Sequence, residues 1–117
     1  MHYRVLCVED DSKDYLDLSC AAPERFMCYQ AQTLSDVRGW YFDYTFPHII
    51  IFDYYLLAEA TGVMVLKNLP VSDTKPFMVA YSASPYYNAE LMELGAQISV
   101  VKRNPAVLWA ALSGLFP

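Results

Sequence analysis

The sequence predicts an α/β domain in which five βα units build one parallel sheet. Short apolar runs alternate along the chain with segments whose apolar residues recur at helical spacing. The runs are also continuous rather than alternating, as strands covered by helices on both faces must be.

In chain order, Val5-Leu6-Cys7-Val8 is the first run, and it leads through three acids, Glu9-Asp10-Asp11, into a helix over Ser12–Ala22 that Pro23 halts. A weaker second strand is expected in Met27-Cys28-Tyr29-Gln30-Ala31. Val37, Trp40, Tyr41 and Tyr44 then share one helical face before Pro47. Ile49-Ile50-Ile51-Phe52 is the strongest run and meets Asp53 at its end. Thr61–Leu69 reads as a short helix ended by Pro70, followed by a fourth strand over Phe77–Tyr81. Ser84-Pro85 looks like an N-cap with proline at the first helical position, and Gly95 ends that helix. The last strand is expected at Ile98-Ser99-Val100-Val101, directly before Lys102. Asn104-Pro105 repeats the capping device, and Gly114 is expected to close a helix carrying Val107, Leu108, Ala111, Leu112 and Leu115.

At 117 residues the chain fits a single domain over 1–117, large enough to hold a core without disulfide or metal staples. A hydrophobic share of 56% and a charged share of 18% exclude disorder. With a net charge of −5 and no basic cluster longer than Lys102-Arg103, direct nucleic-acid binding is not expected. Cys7, Cys20 and Cys28 are an odd set without CxxC spacing, so reduced thiols and a cytoplasmic protein are the expectation. The start of the chain does not read as a signal peptide, and the apolar stretch Ile49–Ala58, broken by Asp53, is too short for a bilayer.

Function is sought where such sheets keep it, beyond the carboxyl ends of the strands. The first strand ends at Glu9, Asp10 and Asp11, the third at Asp53, the fourth at Ser82 and the fifth at Lys102. Each residue alone has an ordinary explanation: an acid capping a helix, a serine in a turn, a solvated lysine. Together they make a phosphoryl-transfer set. Carboxylates from two strands suit a hard cation such as Mg²⁺, one carboxylate can become an acyl phosphate, and amine and hydroxyl can donate to the transferred group. His2 and His48 have no ligand spacing.

From Arg4 to about Leu115 this ordered set resembles the receiver domains of two-component response regulators, of the single-domain chemotaxis-response-regulator type. Val5–Asp11 is similar to the family's first strand and acid pair, and Ile49–Asp53 to its third strand and phosphoacceptor. Tyr81-Ser82-Ala83 and Gly95-Ala96 through Val101-Lys102 are similar to its hydroxyl and lysine segments. The resemblance implies a flavodoxin-like doubly wound (βα)5 fold with strand order 2-1-3-4-5. It implies that Asp53 takes a phosphoryl group from a histidine kinase or phosphotransfer protein. Mg²⁺ would be held by Asp10, Asp53, the Tyr55 carbonyl and, through water, Glu9. Ser82 and Lys102 would contact the phosphoryl group. A downstream target, or a second copy in a homodimer, would meet the face formed by Tyr86–Leu94, Ser99 and Val107–Leu115. No enzymatic turnover is implied beyond the chain's own phosphorylation and dephosphorylation.

The chain also departs from the family pattern. Leu57 stands where a proline is usual, and the loop to Gly62 is about one residue longer. Arg103 replaces the proline after the lysine, with Pro105 following later. Ser99 replaces the switch aromatic of the last strand, and Tyr54 and Tyr55 flank the acceptor, where bulk could shield an acyl phosphate from water. The lost prolines leave open an alternative, a pseudo-receiver acting as a phosphorylation-independent interaction module. A haloacid-dehalogenase-type phosphatase would need an acid where Tyr55 stands, a flavodoxin would meet repulsion from the acids after Val8, and a serine hydrolase would need a G-x-S-x-G elbow.

Overall fold

Burial on both faces turns the apolar runs into strands. In the computed structural model, which describes residues 2–44, 46–54, 61–69 and 75–117, the elements alternate without exception. They are β1 (Tyr3–Val8), α1 (Ser12–Cys20), β2 (Phe26–Ala31), α2 (Leu34–Tyr44) and β3 (Ile49–Phe52). α3 (Gly62–Lys67), β4 (Phe77–Ala80), α4 (Pro85–Glu93), β5 (Ile98–Ser99) and α5 (Pro105–Leu115) follow. The five strands are parallel and ordered β2-β1-β3-β4-β5, the order implied by the resemblance.

The pleat divides the core in two. Leu6, Val8, Ile50, Phe52 and Ala80 face one side, where Val37, Trp40 and Tyr41 of α2, Val65 of α3 and Leu91 of α4 cover them. Val5, Cys7, Ile49, Ile51 and Val79 face the other, against Leu18 of α1 and Leu108, Trp109 and Leu112 of α5. All four β3 residues are buried, each such side chain contributing about 1.5–3 kcal/mol. The Trp109 indole donates to the Leu18 carbonyl at 2.8 Å and so ties α5 to α1.

Several boundaries differ from the sequence expectation. α1 stops at Cys20, and α3 runs from Gly62 with Thr61 as its N-cap, the hydroxyl accepting from the Met64 amide. β5 is two residues long. It is an edge strand paired only with β4, although the chain beyond it keeps hydrogen bonds from Val100 N–H to Ala80 O and from Lys102 N–H to Ser82 O. Gly114 does not close α5, which continues to Leu115. Its buried stripe is Leu108, Trp109 and Leu112, whereas Val107 and Leu115 are 57% and 52% exposed. Gly95 does end α4, in the left-handed region at φ +124°. No helix among the described residues is long and apolar enough to cross a membrane.

Candidate functional site

Parallel register delivers four strand ends to one rim. Cys7 and Val8 of β1 lie opposite Ile51 and Phe52 of β3, so Glu9 and Asp10 emerge beside Asp53. The Asp53 amide donates to the Val8 carbonyl at 3.0 Å, and the Glu9 amide to Ala31 at 2.9 Å. Two β2-side glutamines steady the acid pair from behind: Gln30 Nε2 donates to the Glu9 carbonyl at 3.0 Å, and Gln32 Nε2 to the Asp10 carbonyl at 3.1 Å. Asp11 turns away and caps α1, accepting from the Lys13 and Asp14 amides at 2.9 and 3.0 Å. Those bonds hold its carboxyl below the usual range.

Glu9, Asp10 and Asp53 each place an oxygen within 4.8 Å of the other two. This all-oxygen donor set fits a hard divalent cation. Burial pushes the Glu9 carboxyl up to about 7, with repulsion from Asp53 adding to it and a hydrogen bond from Lys102 opposing it. The expected contribution of the Tyr55 carbonyl lies outside the described residues, as does Leu57.

Lys102 reaches into the same place. Its Nζ is 2.6 Å from Glu9 Oε1, 3.0 Å from Asp14 Oδ2 and 3.2 Å from Asp53 Oδ2. Burial opposes its charge, but the bonds to Glu9 and Asp14 and the attraction of Asp53 outweigh it and raise the ammonium above its ordinary range. The next residue, Arg103, turns left-handed at φ +67° and places its guanidinium 3.6 Å from Asp14.

Ser82 is buried at the end of β4. Its amide donates to Asn88 Oδ1 at 2.8 Å, while Asn88 Nδ2 donates to the Ser82 and Val100 carbonyls at 3.2 Å each. The hydroxyl accepts from the amide of Ser84, the N-cap of α4, at 3.1 Å. The Tyr54 ring stacks on Tyr87 of α4 at 3.8 Å, and its hydroxyl donates to Glu90 at 3.0 Å. Gly62 lies against the Asp53 carbonyl so closely that a Cβ there would collide with it.

The structure thus gathers Glu9, Asp10, Asp53 and Lys102 and sets Ser82 on the adjoining strand end. Sequence reasoning missed Asp14, Asn88, Gln30, Gln32 and the contact of Gly62. Asp14 alone had a usable signal, since the first turn of α1 opens beside the acid pair.

No protein-family model matches the sequence, and no curated protein does either. Solved structures do match. The BeF3-activated receiver domain of DrrB, from Thermotoga maritima, superposes with a TM-score of 0.80 at 18% identity over 97% of both chains. The phosphorylated cyanobacterial phytochrome response regulator RcpA gives 0.75 at 17% identity, covering 98% of this chain and 91% of its own. The signal receiver domain of a LuxO repressor protein from Vibrio parahaemolyticus gives 0.74 at 21% identity, over 97% and 88%. This chain has the fold of the response-regulator receiver domains.

Proposed function

We propose that the chain is a phosphorylation-dependent signalling switch of a two-component system, accepting a phosphoryl group on Asp53. The observation that carries this reading is the pairing of the Lys102 ammonium with Asp53 and Glu9 inside a three-carboxylate oxygen cluster. Such an arrangement suits a divalent cation and a dianionic phosphoryl group together.

In the proposed step an Asp53 oxygen attacks the phosphorus of a phosphohistidine on a histidine kinase or phosphotransfer protein. The new O–P bond forms as the P–N bond breaks, and the imidazole leaves with the bond's electron pair and takes up a proton. Glu9, Asp10 and Asp53 would hold Mg²⁺, with the Tyr55 carbonyl as a further ligand, and the ion would neutralise charge on the phosphoryl oxygens. Lys102 would then donate to an acyl-phosphate oxygen. Ser82 would turn its hydroxyl from the Ser84 amide toward the phosphoryl group and so loosen the first turn of α4. Attack by water returns the free carboxylate and inorganic phosphate.

Such a change would be read on the α4–β5–α5 side, Tyr86–Leu94, Ser99 and Val107–Leu115. Tyr86 there is 75% exposed, and α5 carries no charged residue. A downstream target or a second copy of the chain would dock on that surface.

The test is intact-mass analysis after incubation with Mg²⁺ and acetyl phosphate. A phosphoryl adduct is expected on the wild type, with none on Asp53→Asn or in excess chelator. An adduct that persists in Asp53→Asn would move the site elsewhere. No adduct on the wild type would turn the reading to a phosphorylation-independent interaction module.

A further inference from the structure

Asp14 belongs to none of the roles assigned so far, yet it makes the second-shortest contact to Lys102. An ammonium has three N–H donors, and here three carboxylates, Glu9, Asp14 and Asp53, stand within 3.2 Å of it. Two of these carboxylates have other employment in the proposed reaction. Glu9 and Asp53 lie in the oxygen cluster suited to a cation, and Asp53 becomes the acyl phosphate. Asp14 is outside that cluster. Its contact is therefore the one that neither the cation nor the phosphoryl group would compete for.

Asp14 is well placed to keep its grip. It sits in the first turn of α1, and its amide is fixed to the Asp11 cap at 3.0 Å. Its side chain is 14% exposed and that of Lys102 8%, so solvent screens the pair little. The same Oδ2 also faces the Arg103 guanidinium at 3.6 Å, directly after the lysine, where the backbone is left-handed. Asp14 thus faces two consecutive residues of that segment, the buried Lys102 closely and the 67% exposed Arg103 loosely.

We propose that Asp14 is a positioning residue that tethers the Lys102 ammonium from the α1 side. It holds Nζ beside Asp53 while Glu9 turns to the cation. The inference rests on the phosphoacceptor reading above and adds to it a residue that acts through Lys102.

A double-mutant cycle separates this role from a structural one. In the wild-type background, Asp14→Asn should slow phosphorylation by acetyl phosphate about five- to tenfold. In the Lys102→Met background the same change should alter the residual rate less than about twofold, since the residue it acts through is gone. An equal factor in both backgrounds, or an unchanged rate in the wild-type background, would overturn the proposal. A second readout needs no phosphorylation: the ¹⁵N ammonium resonance of Lys102 in the ion-free chain, assigned by its loss in Lys102→Met. It should shift, and exchange with water faster, in Asp14→Asn. If the wild type takes no phosphoryl group, the phosphoacceptor reading fails, while an unmoved resonance would sink the tether on its own.

Discussion

The two flanks of Asp53 are built from different interactions. Toward α1 and β5 the contacts are ionic, with one ammonium among Glu9, Asp14 and Asp53. Toward α4 they are mostly between uncharged groups: Asn88 bridges Ser82 and Val100, Ser82 holds Ser84, and Tyr54 stacks on Tyr87 while its hydroxyl reaches the Glu90 carboxylate. Charged contacts answer directly to an incoming cation or phosphoryl group, because those bring charge of their own. Hydrogen bonds between uncharged groups respond less to charge and are strict in geometry, so they respond when a strand end moves. One flank is suited to sensing the chemistry and the other to passing displacement into a helix.

Removing the ammonium should break the ionic flank most severely. Lys102→Met leaves three carboxylates facing each other and should cost about 3 kcal/mol in chelator. Mg²⁺ should restore much of that loss, as urea unfolding with and without the ion would report. Asn88→Ala is the matching test on the largely uncharged side. It strips the buried Ser82 amide of its acceptor, leaves the Ser82 carbonyl with the Lys102 amide, and should cost about 2 kcal/mol. Mg²⁺ should not restore it. Equal rescue of the two variants would erase the distinction between the flanks.

Tyr54→Ala should act more locally. Without the stack and the Glu90 bond, amides in the first turns of α4 should exchange with solvent several-fold faster, while β1 and β3 amides stay protected. Uniform loss of protection would show Tyr54 to be ordinary core.

The smallest effect is a slope. Because the folded Glu9 carboxyl is pushed from 4.5 up to about 7, the folded chain binds more protons than the unfolded one in that interval. Its contribution to stability is therefore complete below about pH 4.5 and is lost as pH rises to 7. Glu9→Gln should flatten the pH dependence of urea unfolding in chelator across that window. A steeper fall in the variant would reverse the assignment.

The acids, Asp53, Ser82 and Lys102 were legible because an apolar run ends abruptly at each, and a parallel sheet sends all such ends to one rim. The phase of α5 was not legible. A helix of Pro, Ala, Val, Leu, Trp, Ser and Gly has no polar face to mark the outside, so the sequence grouped Val107 and Leu115 with Leu108 and Leu112, of which only the latter two are buried, beside Trp109. Asn88 was hidden, and Asp14 was marked only by its place beside the acid pair, for another reason. In sequence they are common polar residues of helix first turns, and only the packing of α1 and α4 onto the sheet supplies Lys102 and Ser82 as partners. The two residues after Ser99 were read as strand because propensity cannot see that an edge strand has one neighbour instead of two.

The division of the core also sets what light can report. The chain has two tryptophans, Trp40 of α2 and Trp109 of α5, on opposite sides of the sheet and both shielded from water. With either one replaced by phenylalanine, the fluorescence of the other becomes the signal of a single layer. Matching melting curves from the two emitters would mean that the sheet binds both helical layers into one cooperative unit.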